Sequence, residues 1–276
     1  MTDLSPYILP EGNVHIAFSG GRTSAYMLHQ IMAANGGLPD RAKVIFTNTG
    51  RELEPTLEFV REVERQWGVP IVWLEYRYDN GPRAQQVFFE TAHRRKDPKP
   101  FNDLLRRKKR LPNQQERFCT EELKVRTARR WLVMQGWKKW TKAVGIRDDE
   151  PDRHNPAAQP REAIWHPMVA AGVSRYDVAA FWQASPFDLG LPIVNGKTIG
   201  GNCLKCFQKS EKQIASFIRD IPDDTWPDDM EAEYAGTFSA RYSHRELRRY
   251  IEKQGDWIFD DDVDVLCQAD GGECSG

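Results

Sequence analysis

Three short groupings in this 276-residue chain have residue types and spacings suited to chemistry. The first is Ser19-Gly20-Gly21-Arg22-Thr23-Ser24, which follows an apolar run and precedes a helical pattern. A glycine turn between strand and helix exposes backbone N–H groups at the positive end of the helix dipole, and together these bind phosphate or pyrophosphate. Ser19, Thr23 and Ser24 add hydroxyl donors and Arg22 adds charge; a plain tight turn is the alternative use of the same residues. The second grouping is Gly145-Ile146-Arg147, where a planar guanidinium at a strand end suits an anion, against the alternative of a salt bridge to Asp149 or Glu150. The third is Cys203-Leu204-Lys205-Cys206 after the turn Gly200-Gly201-Asn202, and Cys-x-x-Cys is a metal or redox spacing.

These residues need elements to position them. Val14 to Phe18, Lys43 to Thr47, Ile71 to Tyr76 and Trp140 to Ile146 read as strands, with helical patterns around Tyr26 to Met32, Leu57 to Trp67 and Leu123 to Met134. Strands alternating with helices predict an α/β fold, a Rossmann-like parallel sheet with helices on both faces. Right-handed crossovers then place Ser19, Asn48 and Gly145 along one sheet edge, where ligands bind. The expected organisation is a nucleotide-binding α/β domain over residues 1–155, containing a basic helical insertion at about 79–120. Residues 156–276 form a mostly helical C-terminal part with the CxxC motif and an acidic tail, with helices near Arg175 to Gln183, Glu211 to Arg219 and Ser243 to Glu252.

Composition is that of an ordinary globular protein, 40% hydrophobic and 29% charged,. No apolar run approaches the roughly 20 residues of a membrane span, so no membrane association and a cytoplasmic location are expected. Five unevenly spaced cysteines make a poor disulfide framework, which directs attention to metal ligation or thiol chemistry,. Net charge is -1, yet bases dominate from Arg94 to Arg130, in Arg94-Arg95-Lys96 and Arg106-Arg107-Lys108-Lys109-Arg110. Such a run is either a solvated helical face or a track for nucleic-acid phosphates. Phe88, Phe89, Phe101 and Phe118 are expected to pack the insertion onto the domain, and Trp165, Trp182 and Trp226 to serve packing. His15 falls within a strand and reads as a core residue, whereas His154 and His166 have no evident partner.

Five segments in order, FSGGRTSAYML, FTNTGRELEPTLEFV, RFCTEELKV, GIRDDEPDR and GNCLKCFQKS, make the chain resemble the phosphoadenosine phosphosulfate reductase family of the PP-loop, or adenine nucleotide alpha hydrolase, superfamily. The resemblance spans about three quarters of the chain, Val14 to Ser210; neither a Walker A loop nor a GxGxxG fingerprint is present. It implies an adenine nucleotide, ATP or a sulfonucleotide, with Ser19, Gly20, Gly21, Thr23 and Ser24 on phosphate and Asn48, Thr49 and Gly50 lining the pocket. Arg147 and Arg153 would clamp phosphate or sulfate. Many PP-loop ATP pyrophosphatases carry Asp where this chain has Thr23, so phosphate binding is implied more directly than ATP cleavage. Asp148, Asp149 and Glu150 are candidates for Mg²⁺, against solvated turn residues.

The cysteine pattern resembles the iron-sulfur branch of sulfonucleotide reductases, implying a [4Fe-4S] cluster on Cys119, Cys203, Cys206 and either Cys267 or Cys274. Zinc on the same thiolates, or reduced thiols without metal, are the alternatives. Glu273-Cys274 is similar to the motif of the nucleophilic cysteine in these reductases, which makes Cys274, beside Arg147, the catalytic candidate, against a frayed tail thiol. The expected function is a reductase-like enzyme performing sulfur-linked chemistry on an adenine nucleotide. The alternatives are an ATP-dependent sulfurtransferase that thiolates nucleic acid and a non-catalytic nucleotide or nucleic-acid binding module. The expected partners are the nucleotide, nucleic acid along the basic insertion, and a second copy of the chain.

Overall fold

The computed structural model describes residues 3–154, 159–194 and 197–254. Cys267 and Cys274 lie outside the described residues, as does the acidic run Asp260-Asp261-Asp262. The first half runs β1 (Val14–Phe18), α1 (Arg22–Asn35), β2 (Ala42–Asn48), α2 (Glu54–Trp67), β3 (Ile71–Tyr78), β4 (Pro82–Val87) and α3 (Lys99–Lys108). A π-helical turn over Thr120–Val125 leads into α4 (Arg126–Met134), followed by β5 (Trp140–Ala143) and β6 (Glu162–Trp165). Beyond these come α5 (Pro167–Ala170), α6 (Arg175–Ala184), a small ribbon of β7 (Ile193–Val194) and β8 (Lys197–Thr198), then α7 (Glu211–Asp220), α8 (Trp226–Glu233) and α9 (His244–Gln254). Among the described residues no helix is long and apolar enough to cross a membrane.

The main sheet has the order β4-β3-β2-β1-β5-β6, parallel throughout except for antiparallel β4 at one edge. The chain winds outward from β1 to β3, then returns to add β5 on the other side of β1. The ends of β1 and β5 therefore flank the topological switch point, where α/β sheets bind ligands. Side chains alternate between faces, so β1 serves two layers. Val14, Ile16 and Phe18 join the core with α1, α2 and α6. On the opposite face Ile45, Leu74 and Trp140 pack against Ala128, Trp131 and Leu132 of α4. There β1 offers only His15 and Ala17, and a cleft remains beside this second core.

Two strands of the main sheet depart from expectation, as does the β7–β8 ribbon within the part expected to be mostly helical. The insertion, expected to be helical, holds one helix, α3, together with the edge strand β4. Asn80 and Gly81 turn the chain with φ of 55° and 129°, and β4 buries only Ala84 and Val87 while Arg83, Gln85 and Gln86 face solvent. An edge strand with one neighbour needs no apolar run, which hides it from periodicity. β6 is hidden because it opens on a charge: Glu162 is buried, and Trp140 Nε1 at 2.8 Å and Arg129 Nη2 at 2.8 Å donate to it. Of the insertion's phenylalanines, Phe101 and Phe118 are buried, whereas Phe88 is 64% exposed and does not pack.

Candidate active site

The loop after β1 is forced into shape by its surroundings. Gly20 has φ of 78°, and a Cβ there would stand 2.9 Å from Thr56 Cγ2 and 3.1 Å from Phe46 Cε2 and Val60 Cγ2. Only glycine combines that left-handed backbone with that contact. Gly21 begins α1 without any side-chain cap, so the first turn presents its N–H groups at the dipole's positive end,. The Ser24 hydroxyl accepts from Ser19 N at 3.1 Å and lies 2.9 Å from Ser19 Oγ, closing the loop on itself. Across the switch point, a Cβ on Gly145 would stand 3.2 Å from Ser24 Cα, so the end of β5 abuts the loop.

The arginines divide. Arg22 is buried and committed to protein partners: it forms a two-pronged ion pair with Asp188 and donates to Thr198 Oγ1 at 2.9 Å and Leu191 O at 2.8 Å. Trp182 Nε1 donates to Arg22 O at 2.9 Å, so the segment after β6 braces the start of α1. Arg147 points to the loop, with Nη1 donating to Thr23 Oγ1 at 3.3 Å and Nε to Asp149 Oδ1 at 2.8 Å. The salt bridge that the sequence offered as the alternative to anion binding is therefore made, with the guanidinium still reaching the loop. Arg153 Nη1 donates to Glu150 Oε1 at 2.5 Å. Asp149 also receives Arg175, and although burial opposes it, the Arg147 hydrogen bond and charge hold its carboxyl below the usual range. Asp148 is exposed. His154, without an evident partner in the sequence, sets Nε2 2.9 Å from Arg147 O.

At the end of β2, Asn48 is fully buried and donates to Glu75 Oε1 at 2.7 Å and His93 O at 2.9 Å, while its Oδ1 accepts from Gly50 N at 3.1 Å. Its side chain therefore shapes the loop that follows. Glu75 Oε2 also lies 2.7 Å from His93 Nδ1. Glu52 is buried and accepts from Thr49 N and Oγ1 at 3.0 and 2.8 Å and from Arg51 N at 3.1 Å. Onto this loop docks the CxxC segment: Glu52 and Cys203 form an antiparallel bridge, Leu204 N donates to Arg51 O at 2.7 Å, and Thr49 Oγ1 lies 3.2 Å from Cys203 Sγ. Asn202 and Lys205 take left-handed φ of 61° and 53°, and Lys205 Nζ is anchored on Asp224 O at 2.5 Å.

Cys119, Cys203 and Cys206 form no disulfide among the described residues and line one cavity with Thr49, Phe101, Leu123, Lys124, Phe207 and Trp226. The distant Cys119 and the CxxC pair thus come together. Among the described residues no three His, Cys, Asp or Glu side chains converge closely enough to hold a single metal ion. Burial, reinforced by the Glu52 carboxylate, pushes the Cys203 thiol well above its ordinary range. Burial, against the pull of Asp224, lowers Lys205 to about 8. Trp226, expected only to pack, lies under Arg51 at 4.4 Å, where it meets the cavity.

Lys124 was not among the residues singled out from sequence, although it lies in the RFCTEELKV segment. It lines both the cysteine cavity and the cleft beneath the Ser19–Ser24 loop, which His15, Ser19, Ser24, Lys142 and Gly145 also line. The π-helical turn from Thr120 to Val125 places it there, a geometry that a 3.6-residue period does not reveal and one frequent at functional sites,. On the same turn Glu122, 1% exposed, receives Arg107, Lys108, Arg126 and Arg130. Arg126 is shared with Glu121 of the same turn, so two carboxylates face four cations and the neighbourhood stays positive.

Residues 13–171 match the family described as the phosphoadenosine phosphosulfate reductase domain. The nin region protein ORF290 of Escherichia phage lambda is 32% identical over 213 residues, 74% of this chain and 69% of that protein. A crystal structure of phosphoadenylyl-sulfate reductase from Candida auris, as a phosphate complex, is similar at 15% identity and a TM-score of 0.41, covering 68% of this chain and 81% of its own.

Proposed function

The chain belongs to the phosphoadenosine phosphosulfate reductase family, and from that premise we propose that it is a sulfonucleotide reductase-like enzyme binding an adenine nucleotide against the Ser19–Ser24 loop. Its sulfur chemistry takes place in the adjoining cysteine cavity. The observation that carries this reading is the shared wall, because Lys124 lines both the cleft and the cavity. An ammonium between them stabilises charge that develops when a bond at the nucleotide's sulfur or phosphorus breaks.

In this reading the loop N–H groups and the α1 dipole hold the phosphate, the Ser19 and Ser24 hydroxyls complete the cradle, and Arg147 and Arg153 close over it. A thiolate attacks the sulfonate sulfur, the sulfur–oxygen bond to the phosphate breaks, and the electron pair leaves with the adenosine phosphate. Cys274 is the thiol that the family resemblance nominates. Cys119, Cys203 and Cys206 would hold a [4Fe-4S] cluster, with Cys267 or Cys274 as the fourth ligand. The three thiols in one largely apolar cavity fit it. A bound cluster would supply a redox-active centre at the nucleotide's phosphate end. Zinc on the same thiolates is the alternative, and it would leave the protein colourless.

Anaerobically purified protein is expected to contain iron and to absorb broadly near about 400 nm, as such clusters do, with the band lost in Cys203→Ser. Colourless, iron-free protein would remove the cluster. Arg147→Ala should weaken nucleotide binding roughly 10- to 150-fold, the loss of one charged hydrogen bond of about 1.5–3 kcal/mol, as read by calorimetry. Unchanged affinity would sink the placement of the phosphate.

A second reading, ATP-dependent thiolation of nucleic acid, is favoured by the four cations gathered at Glu122 on the turn that carries Lys124. Sulfite release from a sulfonucleotide identifies the reductase. Pyrophosphate release from ATP that RNA stimulates identifies the transferase, and binding without either release identifies a non-catalytic module.

A further inference from the structure

His15 lies on the face of β1 turned toward α4, in register with Lys43 of β2 and Lys142 of β5. It is 2% exposed and lines the cleft, and neither Nδ1 nor Nε2 has a hydrogen-bond partner among the described residues. The nearby Glu162 carboxylate is occupied by Arg129 and Trp140. A core position facing α4 needs no such residue, since burying an imidazole with both nitrogens unpaired is costly where leucine or valine would cost nothing. Along the strand His15 is four residues from Ser19, so it stands about 13 Å below the phosphate loop, comparable with the reach of a nucleotide from its 5′ phosphate to its base.

We propose that His15 reads the base edge of the nucleotide and so sets which nucleotide this cleft accepts, an inference that rests on the nucleotide reading of the cleft given above. A neutral imidazole carries one N–H donor and one lone pair. A purine edge offers both complements, an amino N–H and a ring nitrogen. A second phosphate is acceptor-only and would satisfy the imidazole N–H alone, leaving the ring's lone pair unpaired. Burial, then the Lys142 cation, lower His15 to about 3, which keeps the ring neutral and leaves it one donor and one acceptor,.

The test compares wild type, His15→Leu and His15→Gln by calorimetry against AMP, adenosine 3′,5′-bisphosphate and inorganic pyrophosphate, with thermal melts. His15→Leu should fold, melt no lower than wild type, bind pyrophosphate as wild type does and bind AMP at least ten-fold more weakly. His15→Gln, which keeps a donor and an acceptor, should recover most of the AMP affinity. Unchanged AMP affinity in His15→Leu overturns the proposal, as does an equal loss of AMP and pyrophosphate, the mark of a merely structural residue. Loss confined to the bisphosphate overturns it in favour of a second phosphate subsite. Wild-type protein that binds pyrophosphate but not AMP would sink the nucleotide reading itself and this inference with it, a result distinct from any pattern among the variants.

Discussion

Asp224→Ala is expected to lower folding stability by about 4 kcal/mol, the loss seen when one partner of a buried ion pair is removed, as a shift in urea midpoint. Arg51 and Asp224 are 1% and 2% exposed and joined by two hydrogen bonds of 3.0 and 2.8 Å. Lys205 Nζ at 3.4 Å and Arg95 at 3.4 Å share the same carboxylate. Removing it strands two buried cations beside the CxxC loop, so the cysteine cavity should be disturbed as well. Acid should mimic part of this effect. Burial raises the Asp224 carboxyl, but hydrogen bonding and charge from Arg51, then Lys205 and Arg95, hold it below its ordinary value. A carboxyl depressed in the folded state contributes stability above its unfolded pKa of about 3.9 and loses it as pH falls through the folded value. Urea melts at falling pH should therefore show wild type losing stability more steeply than Asp224→Ala below pH about 4. Parallel curves would show that Asp224 does not carry this pin.

Gly20→Val should do the most damage to the phosphate loop. A side chain at φ of 78° is strained, and its Cβ would stand 2.9 Å from Thr56 Cγ2. Left-handed strain of about 1–2 kcal/mol and overpacking of about 1–3 kcal/mol predict a loss near 3 kcal/mol. Nucleotide affinity should fall at least about 100-fold, because the N–H groups that cradle phosphate move with the turn. Calorimetry and denaturation together separate the outcomes. A variant that loses stability yet binds nucleotide as wild type does would mark Ser19–Ser24 as a plain tight turn.

Local chemistry by itself determined the α/β alternation from β1 to β3, the Ser-Gly-Gly turn at the end of β1 and the CxxC turn, because burial period and turn geometry are written in neighbouring residues. β4 and β6 escaped that reading, one because its outer face is solvated and the other because Glu162 finds its partners on β5 and α4. The meeting of Cys119 with Cys203 and Cys206 around one cavity, the Arg51–Asp224 pin across 173 residues and the commitment of Arg22 to Asp188 have no local trace. Each depends on which loops the sheet brings to one edge. The Lys124 wall between cleft and cavity rests on a π-helical turn, one residue out of step with the period that predicts helices. Residue types fixed what chemistry was on offer, and only the packing of distant segments decided which of those groups meet.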